Sequence, residues 1–151
     1  MNHLVSRRPF GLVFAAVTVL TLAATPARAV ERPHISRGTA QFVNAAGDFV
    51  GAGFATSLGA YTETGSVQLL PTGDPAVFQV EARSTYIAAS GDELYAVFTG
   101  QLNALTGALT ATVTYAGGTG RFADAGGTAT LRGQLFPDGS IEVAVKGTID
   151  Y

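Results

Sequence analysis

Residues 115–127, YAGGTGRFADAGG, form a glycine-dense crossing that decides the fold. Glycine can adopt positive φ and lets two backbones approach closely, so such a run marks a bend or bulge in a sheet. A glycine loop that binds phosphate is followed by a helix whose first amides face the anion, whereas residues 128–135 alternate with the period of a strand. The crossing is therefore interpreted as a sharp structural turn. Its predicted structural motif comprises Gly117, Gly118, Gly120 and Phe122.

Eight segments of the chain have the pattern of β-strands. They are rich in Val, Thr, Phe and Tyr, and Gly, Pro, Asp, Asn and Ser separate them. Turns such as residues 90–92 and 137–140 are too short for crossover helices, so neighbouring strands are antiparallel. Since closure removes unpaired edges, the sequence predicts an all-β, eight-stranded antiparallel β-barrel, with a two-sheet sandwich as the alternative. The predicted strands span residues 39–44, 49–57, 61–70, 77–88, 93–102, 108–115, 128–136 and 141–150.

The first 29 residues are predicted to be a cleaved signal peptide. Arg7 and Arg8 give a positive start, and an apolar run follows that is too short to span a membrane. The paired arginines fit either the general secretory route or the twin-arginine route. The mature protein is therefore expected to be secreted or periplasmic. Residues 30–37 are polar and are predicted to form an extended arm, and residues 38–151 a single barrel domain.

Composition excludes several classes of function. The chain has no cysteine, which rules out thiolate catalysis, thiolate metal sites and disulfides. Beyond residue 29, six basic side chains stand against eleven acidic ones, a net charge of −5. This balance argues against nucleic acid and anionic membranes as partners. His34 is the only histidine beyond residue 29 and falls in the predicted arm, so neither a catalytic triad nor a metal site is expected.

From about Pro75 onward the order of features resembles the allene oxide cyclase and dirigent protein superfamily. The matching pieces are residues 77–82, the turn at Gly91, the motif at residues 118–122 and the closing residues 145–147. The resemblance implies an eight-stranded barrel, a trimer or dimer, and an apolar cavity that steers a reactive intermediate without metal or organic cofactor. Allene oxide cyclases use a glutamate and a cysteine that match no position here, so no catalytic residue is carried over.

Alternation within the third strand makes Glu63 the candidate catalytic residue. The odd positions of residues 61–69 are the more apolar face, which places Glu63 between Tyr61 and Val67. Burial there would raise the pKa of the carboxyl and suit it to general acid or base chemistry. The alternative is a carboxylate that is solvated near the open end of its strand or that bonds to a neighbouring threonine.

The same reasoning selects polar companions for Glu63. In residues 78–86 the even positions form the apolar face, whereas Glu81 and Arg83 point outward, as does Lys146. Tyrosines at the ends of apolar faces could present hydroxyls to a ligand at the barrel mouth, or could pack at the rim with the hydroxyl in water. The predicted ligand-binding residues are Tyr61, Ser84, Tyr86 and Tyr115.

Two functions compete at this point. The first is an exported barrel that encloses an apolar small molecule, either binding it or guiding a cofactor-free cyclisation or isomerisation. The second is a non-catalytic structural or interaction module of the cell envelope whose core is filled by its own side chains. The volume of the interior separates the two.

Overall fold

Eight antiparallel strands close into one barrel in the computed structural model, which describes residues 30–151. Each strand pairs with its neighbours in sequence, and the first pairs with the last. The predicted barrel is confirmed, and the alternative of a two-sheet sandwich is wrong. The predicted signal peptide lies outside the described residues. The strands are β1 (Glu31–Phe42), β2 (Asp48–Ala55), β3 (Gly59–Pro71), β4 (Val77–Ala88), β5 (Glu93–Asn103), β6 (Ala108–Gly118), β7 (Thr128–Leu135) and β8 (Ser140–Asp150).

The first strand begins earlier than the sequence suggests. Residues 31–37, which the sequence assigns to an arm outside the domain, pair along β8 and belong to the barrel. Within them His34 and Ser36 are buried while their neighbours are exposed. The strand was hidden because its inner positions carry polar rather than aliphatic side chains, and because Pro33 interrupts the pattern. The barrel therefore starts at Glu31 rather than at residue 38.

The two ends of the barrel differ in packing. The closed end holds the first and last described residues, 30 and 151, and the β2–β3, β4–β5 and β6–β7 connections, and the open end holds the other four connections. Phe122, in a short 3₁₀ helix (Gly120–Phe122), is fully buried at the closed end, and its ring centroid lies 4.9 Å from that of Tyr151. It belongs to a core cluster with four other large side chains that are fully buried. They are Leu58, Leu94, Val113 and Ile149.

The glycine crossing aims Phe122 into the barrel. Gly117 and Gly120 have φ of 81° and 55°, in the left-handed region that favours glycine. Gly118 has no such φ, but a Cβ there would meet the carbonyl oxygen of Glu93. The amide of Thr119 donates to this same carbonyl at 2.9 Å. The crossing thus folds back tightly on β5, and a single 3₁₀ turn rather than an α-helix precedes β7.

Candidate functional site

Apart from the buried apolar side chains of the core cluster, the interior of the barrel is polar in the half toward the closed end and apolar in the half toward the open end. Eight inward side chains with polar atoms, all less than a tenth exposed, form what we call the polar cluster. Beyond them, the inner positions of the strands are aliphatic or aromatic up to the open end. The polar cluster consists of His34, Ser36, Ser57, Tyr61, Glu63, Ser84, Tyr86 and Tyr115.

Glu63 sits at the boundary between the two halves. It lies on β3 directly opposite Tyr86 of β4, and its side chain is 7% exposed. The Ser84 hydroxyl donates a short hydrogen bond to Oε1 of Glu63. On the other side, β2 places Gly51 opposite Glu63, and a Cβ at Gly51 would lie 3.2 Å from Oε2. The missing side chain at Gly51 therefore leaves room for the carboxyl group inside the barrel.

Burial sets the protonation behaviour of this pair. Burial raises the pKa of Glu63, and hydrogen bonds from Ser84 and Tyr86 offset part of that rise. Burial also raises the pKa of Tyr86 well above its ordinary value, and the neighbouring Glu63 carboxylate raises it further. Tyr86 consequently stays protonated and can donate a hydrogen bond, whereas the Glu63 carboxyl can gain or lose a proton.

Tyr61 lies next to this pair, toward the closed end. Its ring contacts the ring of Tyr86 edge to face, with centroids 5.2 Å apart, and its hydroxyl lies 3.0 Å from Oγ of Ser36. The hydroxyl occupies space over Gly38 and Gly53, which face each other on β1 and β2. A Cβ at either glycine would collide with it at 2.5 Å. The two glycines therefore make room for a tyrosine side chain that reaches from β3 over β2 to β1.

His34 and Tyr115 form a separate group closer to the closed end. Nδ1 of His34 lies 2.7 Å from the Ser57 hydroxyl, and the rings of His34 and Tyr115 are 5.1 Å apart. The Arg121 guanidinium donates to the backbone carbonyl of Ser57 at 2.8 Å. Burial lowers the pKa of His34 to about 4. At neutral pH this histidine is therefore an uncharged core residue that hydrogen-bonds to Ser57.

An apolar cavity occupies the other half of the barrel. About 100 Å³ of it can hold the centre of a water molecule, whereas a single buried water needs only ~15 Å³ on this measure. Of its 17 lining residues, two carry polar side chains, Glu63 and Tyr86, and these form its floor. The others are Ala40, Phe42, Phe49, Val67, Leu69, Val80, Ala82, Phe98, Leu102, Leu109, Ala111, Leu131, Leu135, Ile141 and Val143.

The structure separates the residues that the sequence groups into one site. Tyr61, Glu63, Ser84 and Tyr86 lie together, but only Glu63 and Tyr86 line the cavity. Tyr115 is 5% exposed beside His34, so its predicted place at the barrel mouth is wrong. Tyr86 is likewise buried at the cavity floor rather than at the mouth.

Sequence reasoning missed part of the polar cluster. His34 and Ser36 continue an inner face that runs with period two through Gly38 and Ala40 to Phe42. This alternation of small and polar residues could have indicated a strand. It was not recognised as one because the inner positions from His34 to Gly38 carry no aliphatic side chain. Ser57 follows β2 in the turn to β3, where no periodic pattern could reveal it.

Positive charge is confined to the outside of the described barrel. All six basic side chains of residues 30–151 are exposed, and so are Glu81, Arg83 and Lys146, which the sequence predicts to face outward. Within this range no group of three or more His, Asp or Glu side chains is placed to hold a metal ion. The same residues include no helix with the length and apolar character needed to cross a bilayer.

The chain matches no known protein-family profile and no curated protein. One solved structure that resembles it is described as a nonspecific heme-binding cyclase that catalyses a (4 + 2) cycloaddition during neoabyssomicin biosynthesis. The two chains are 12% identical with a TM-score of 0.43, and the match covers 83% of this chain and 69% of that one. This degree of likeness is too low for activity or ligand to be transferred.

Proposed function

We propose that the protein is an exported barrel that binds an apolar small molecule in its interior cavity. The observation that carries the proposal is a cavity open at one end, lined by aliphatic and aromatic side chains, with one carboxyl and one phenol at its floor. A few convergent polar groups in an otherwise apolar pocket are typical of a small-molecule site. Export is supported by the signal-peptide features of residues 1–29, which favour a secreted or periplasmic protein.

The floor of the cavity is suited to proton transfer. When protonated, Glu63, whose pKa burial raises, can give its proton to one atom of a bound molecule and take a proton back from a carbon atom of the same molecule, so that the composition of the molecule does not change. Tyr86 orients the substrate through its hydroxyl. We therefore include a cofactor-free isomerisation or cyclisation in the proposal. The resemblance of residues 77–82 and 118–122 to allene oxide cyclases and dirigent proteins supports this chemistry.

Binding is tested by measuring how much nonane the purified protein withdraws from the headspace of a sealed vial. Ala82 lines the cavity, so Ala82→Phe should fill it and abolish uptake. Ala144 is exposed on the outer face of β8, so Ala144→Phe is the matched control and should retain uptake. Circular dichroism verifies that both variants fold. Equal uptake by the two folded variants, or none by the unaltered protein, would refute the proposal.

A second candidate function is supported by the outer wall of the barrel. Phe54 on β2 is 63% exposed, and Ile35 and Val50 are exposed on the same side of the sheet. Exposed apolar side chains of this size favour contact with another protein or with a second copy of the chain. In this alternative the protein is a non-catalytic interaction module. If the partner is another copy of the chain, the protein is a trimer or a dimer. Light scattering after size-exclusion chromatography tests it, since Phe54→Ser should then lower the molecular mass, and a monomer before substitution excludes self-association.

A further inference from the structure

We propose that the cavity selects an apolar molecule whose inner end carries one uncharged carbonyl oxygen, and that Glu63 and Tyr86 both donate a hydrogen bond to that oxygen. The inference deepens the proposed function and rests on it. Ketones, aldehydes, esters and lactones with an apolar body belong to this class. Hydrocarbons lack the acceptor, and fatty-acid anions carry a charge that the floor of the cavity does not compensate.

The two floor groups are placed to donate to one oxygen atom. Ser84 donates to Oε1 of Glu63, so a proton bound to this carboxyl is placed on Oε2. No side chain of β2 stands over Oε2, because the residue opposite is Gly51. Tyr86, which stays protonated, lies opposite Glu63 on β4, and its hydroxyl is the second donor at the floor. When Glu63 is protonated both groups are donors, and a carbonyl oxygen with its two lone pairs can accept from both.

The floor of the cavity has no positively charged side chain among the described residues. Every basic side chain of residues 30–151 is exposed, and none lines the cavity. A carboxylate brought to the floor would therefore be an unpaired buried anion beside Glu63, which is strongly unfavourable. A neutral carbonyl oxygen has no such cost. It also provides an acceptor for both buried donors.

The wall of the cavity fits a ligand with an apolar body. On β3 the cavity runs from Glu63 through Val67 to Leu69 near the open end. Six residues of a strand span roughly 20 Å, and strand tilt shortens this distance along the barrel axis. Over that length the wall contributes only aliphatic and aromatic groups. A chain or ring system of about ten carbon atoms extending from the carbonyl toward the open end matches this wall.

Methyl heptyl ketone, nonane and nonanoate are suitable probes because they have equal carbon counts and differ in the polar group. Headspace partitioning gives the affinities of the ketone and the alkane, calorimetry gives that of nonanoate, and infrared spectroscopy reports hydrogen bonding to the bound carbonyl. Tyr86→Phe retains the ring and removes one donor. Tyr95→Phe, an exposed tyrosine on the outer face of β5, is the control. Glu63→Gln retains a donor at the other position, in case Tyr86→Phe fails to fold.

In the unaltered protein the carbonyl stretch of the bound ketone should lie at lower wavenumber than in hexane. Tyr86→Phe should weaken ketone binding about tenfold, since a hydrogen bond is lost, and should leave nonane binding within about twofold. Tyr95→Phe should change neither, Glu63→Gln should still bind the ketone, and nonanoate should bind more weakly than the ketone. A carbonyl stretch equal to that in hexane, or equal losses for ketone and nonane, would overturn this inference while leaving the proposed function intact. Failure of both ketone and nonane to bind the unaltered protein would overturn the two together.

Discussion

Acid should destabilise the barrel through His34, and the size of the effect follows from the structure. Burial lowers the pKa of His34 from 6.5 to about 4. As the pH falls below 6.5 the unfolded chain takes up a proton that the folded barrel refuses, so stability is complete above this pH and is lost as the pH falls toward 4. One pKa unit corresponds to 1.36 kcal/mol, so the full loss is about 3 kcal/mol. This is a large part of the 5–15 kcal/mol typical of a domain.

Urea unfolding at pH 7.0 and pH 4.5 measures this loss. His34→Asn keeps a polar atom near Nδ1 for the contact with Ser57 but cannot titrate. The free energy of unfolding of the unaltered protein should fall by about 2 to 3 kcal/mol more than that of the variant between the two pH values. Comparing the two proteins removes the contribution of Glu63 and other groups that both share. If the free energies of unfolding of the two proteins change in parallel with pH, His34 is not buried in its neutral form. The inward position of His34 on β1 would then be wrong.

Three further perturbations test the fold and the floor of the cavity. A chain of residues 38–151 should lack the cooperative thermal transition of residues 30–151, because it loses the part of β1 that pairs with β8 from Glu31 to Arg37; a transition at the same temperature would restore the idea of an arm. Gly118→Ala and Gly120→Ala should each lower the free energy of unfolding by about 1 kcal/mol or more, the first through a clash with the carbonyl of Glu93 and the second through positive φ, and unchanged denaturant midpoints would contradict this. Burial raises the pKa of Glu63, so the folded protein holds this proton more tightly than the unfolded chain, and the resulting stability is lost as the pH rises through the pKa of the folded protein. Glu63→Gln lacks this loss and should therefore become more stable relative to the unaltered protein as the pH rises from 4.5 to 7.5. A difference in the free energy of unfolding that stays constant with pH would show that the carboxyl is solvated.

Strand periodicity was sufficient to predict the architecture of this protein. Each of the eight strands has aliphatic or aromatic residues at inner positions, and short Gly- and Asp-containing turns impose antiparallel neighbours. The first strand was only half predicted, because its inner positions at His34 and Ser36 are polar. A two-residue period of polar and small side chains has the same spacing as an apolar one but lacks the hydrophobic signal by which strands are usually recognised.

The sequence predicted which site residues point into the barrel but not how far along its axis each one lies. Alternation places Glu63, Ser84 and Tyr86 on inner faces, and cross-strand register then brings them together. Periodicity cannot tell how far along the barrel axis a residue lies once the strands tilt and shift, which is why Tyr115 was expected at the mouth and lies near the closed end. The roles of Gly38, Gly51 and Gly53 were also invisible, because they depend on which side chain lies opposite each glycine.

The most direct test of the account is to locate a bound ketone inside the barrel. Intermolecular nuclear Overhauser contacts between carbon-labelled methyl heptyl ketone and the protein report which protons lie within a few ångströms of each other. We expect the methyl group next to the carbonyl to contact the ring of Tyr86, and the terminal methyl group to contact Leu69 or Leu135 near the open end. Contacts to Val50 and Val97 on the outer wall instead would place the ligand outside the barrel and contradict the central claim.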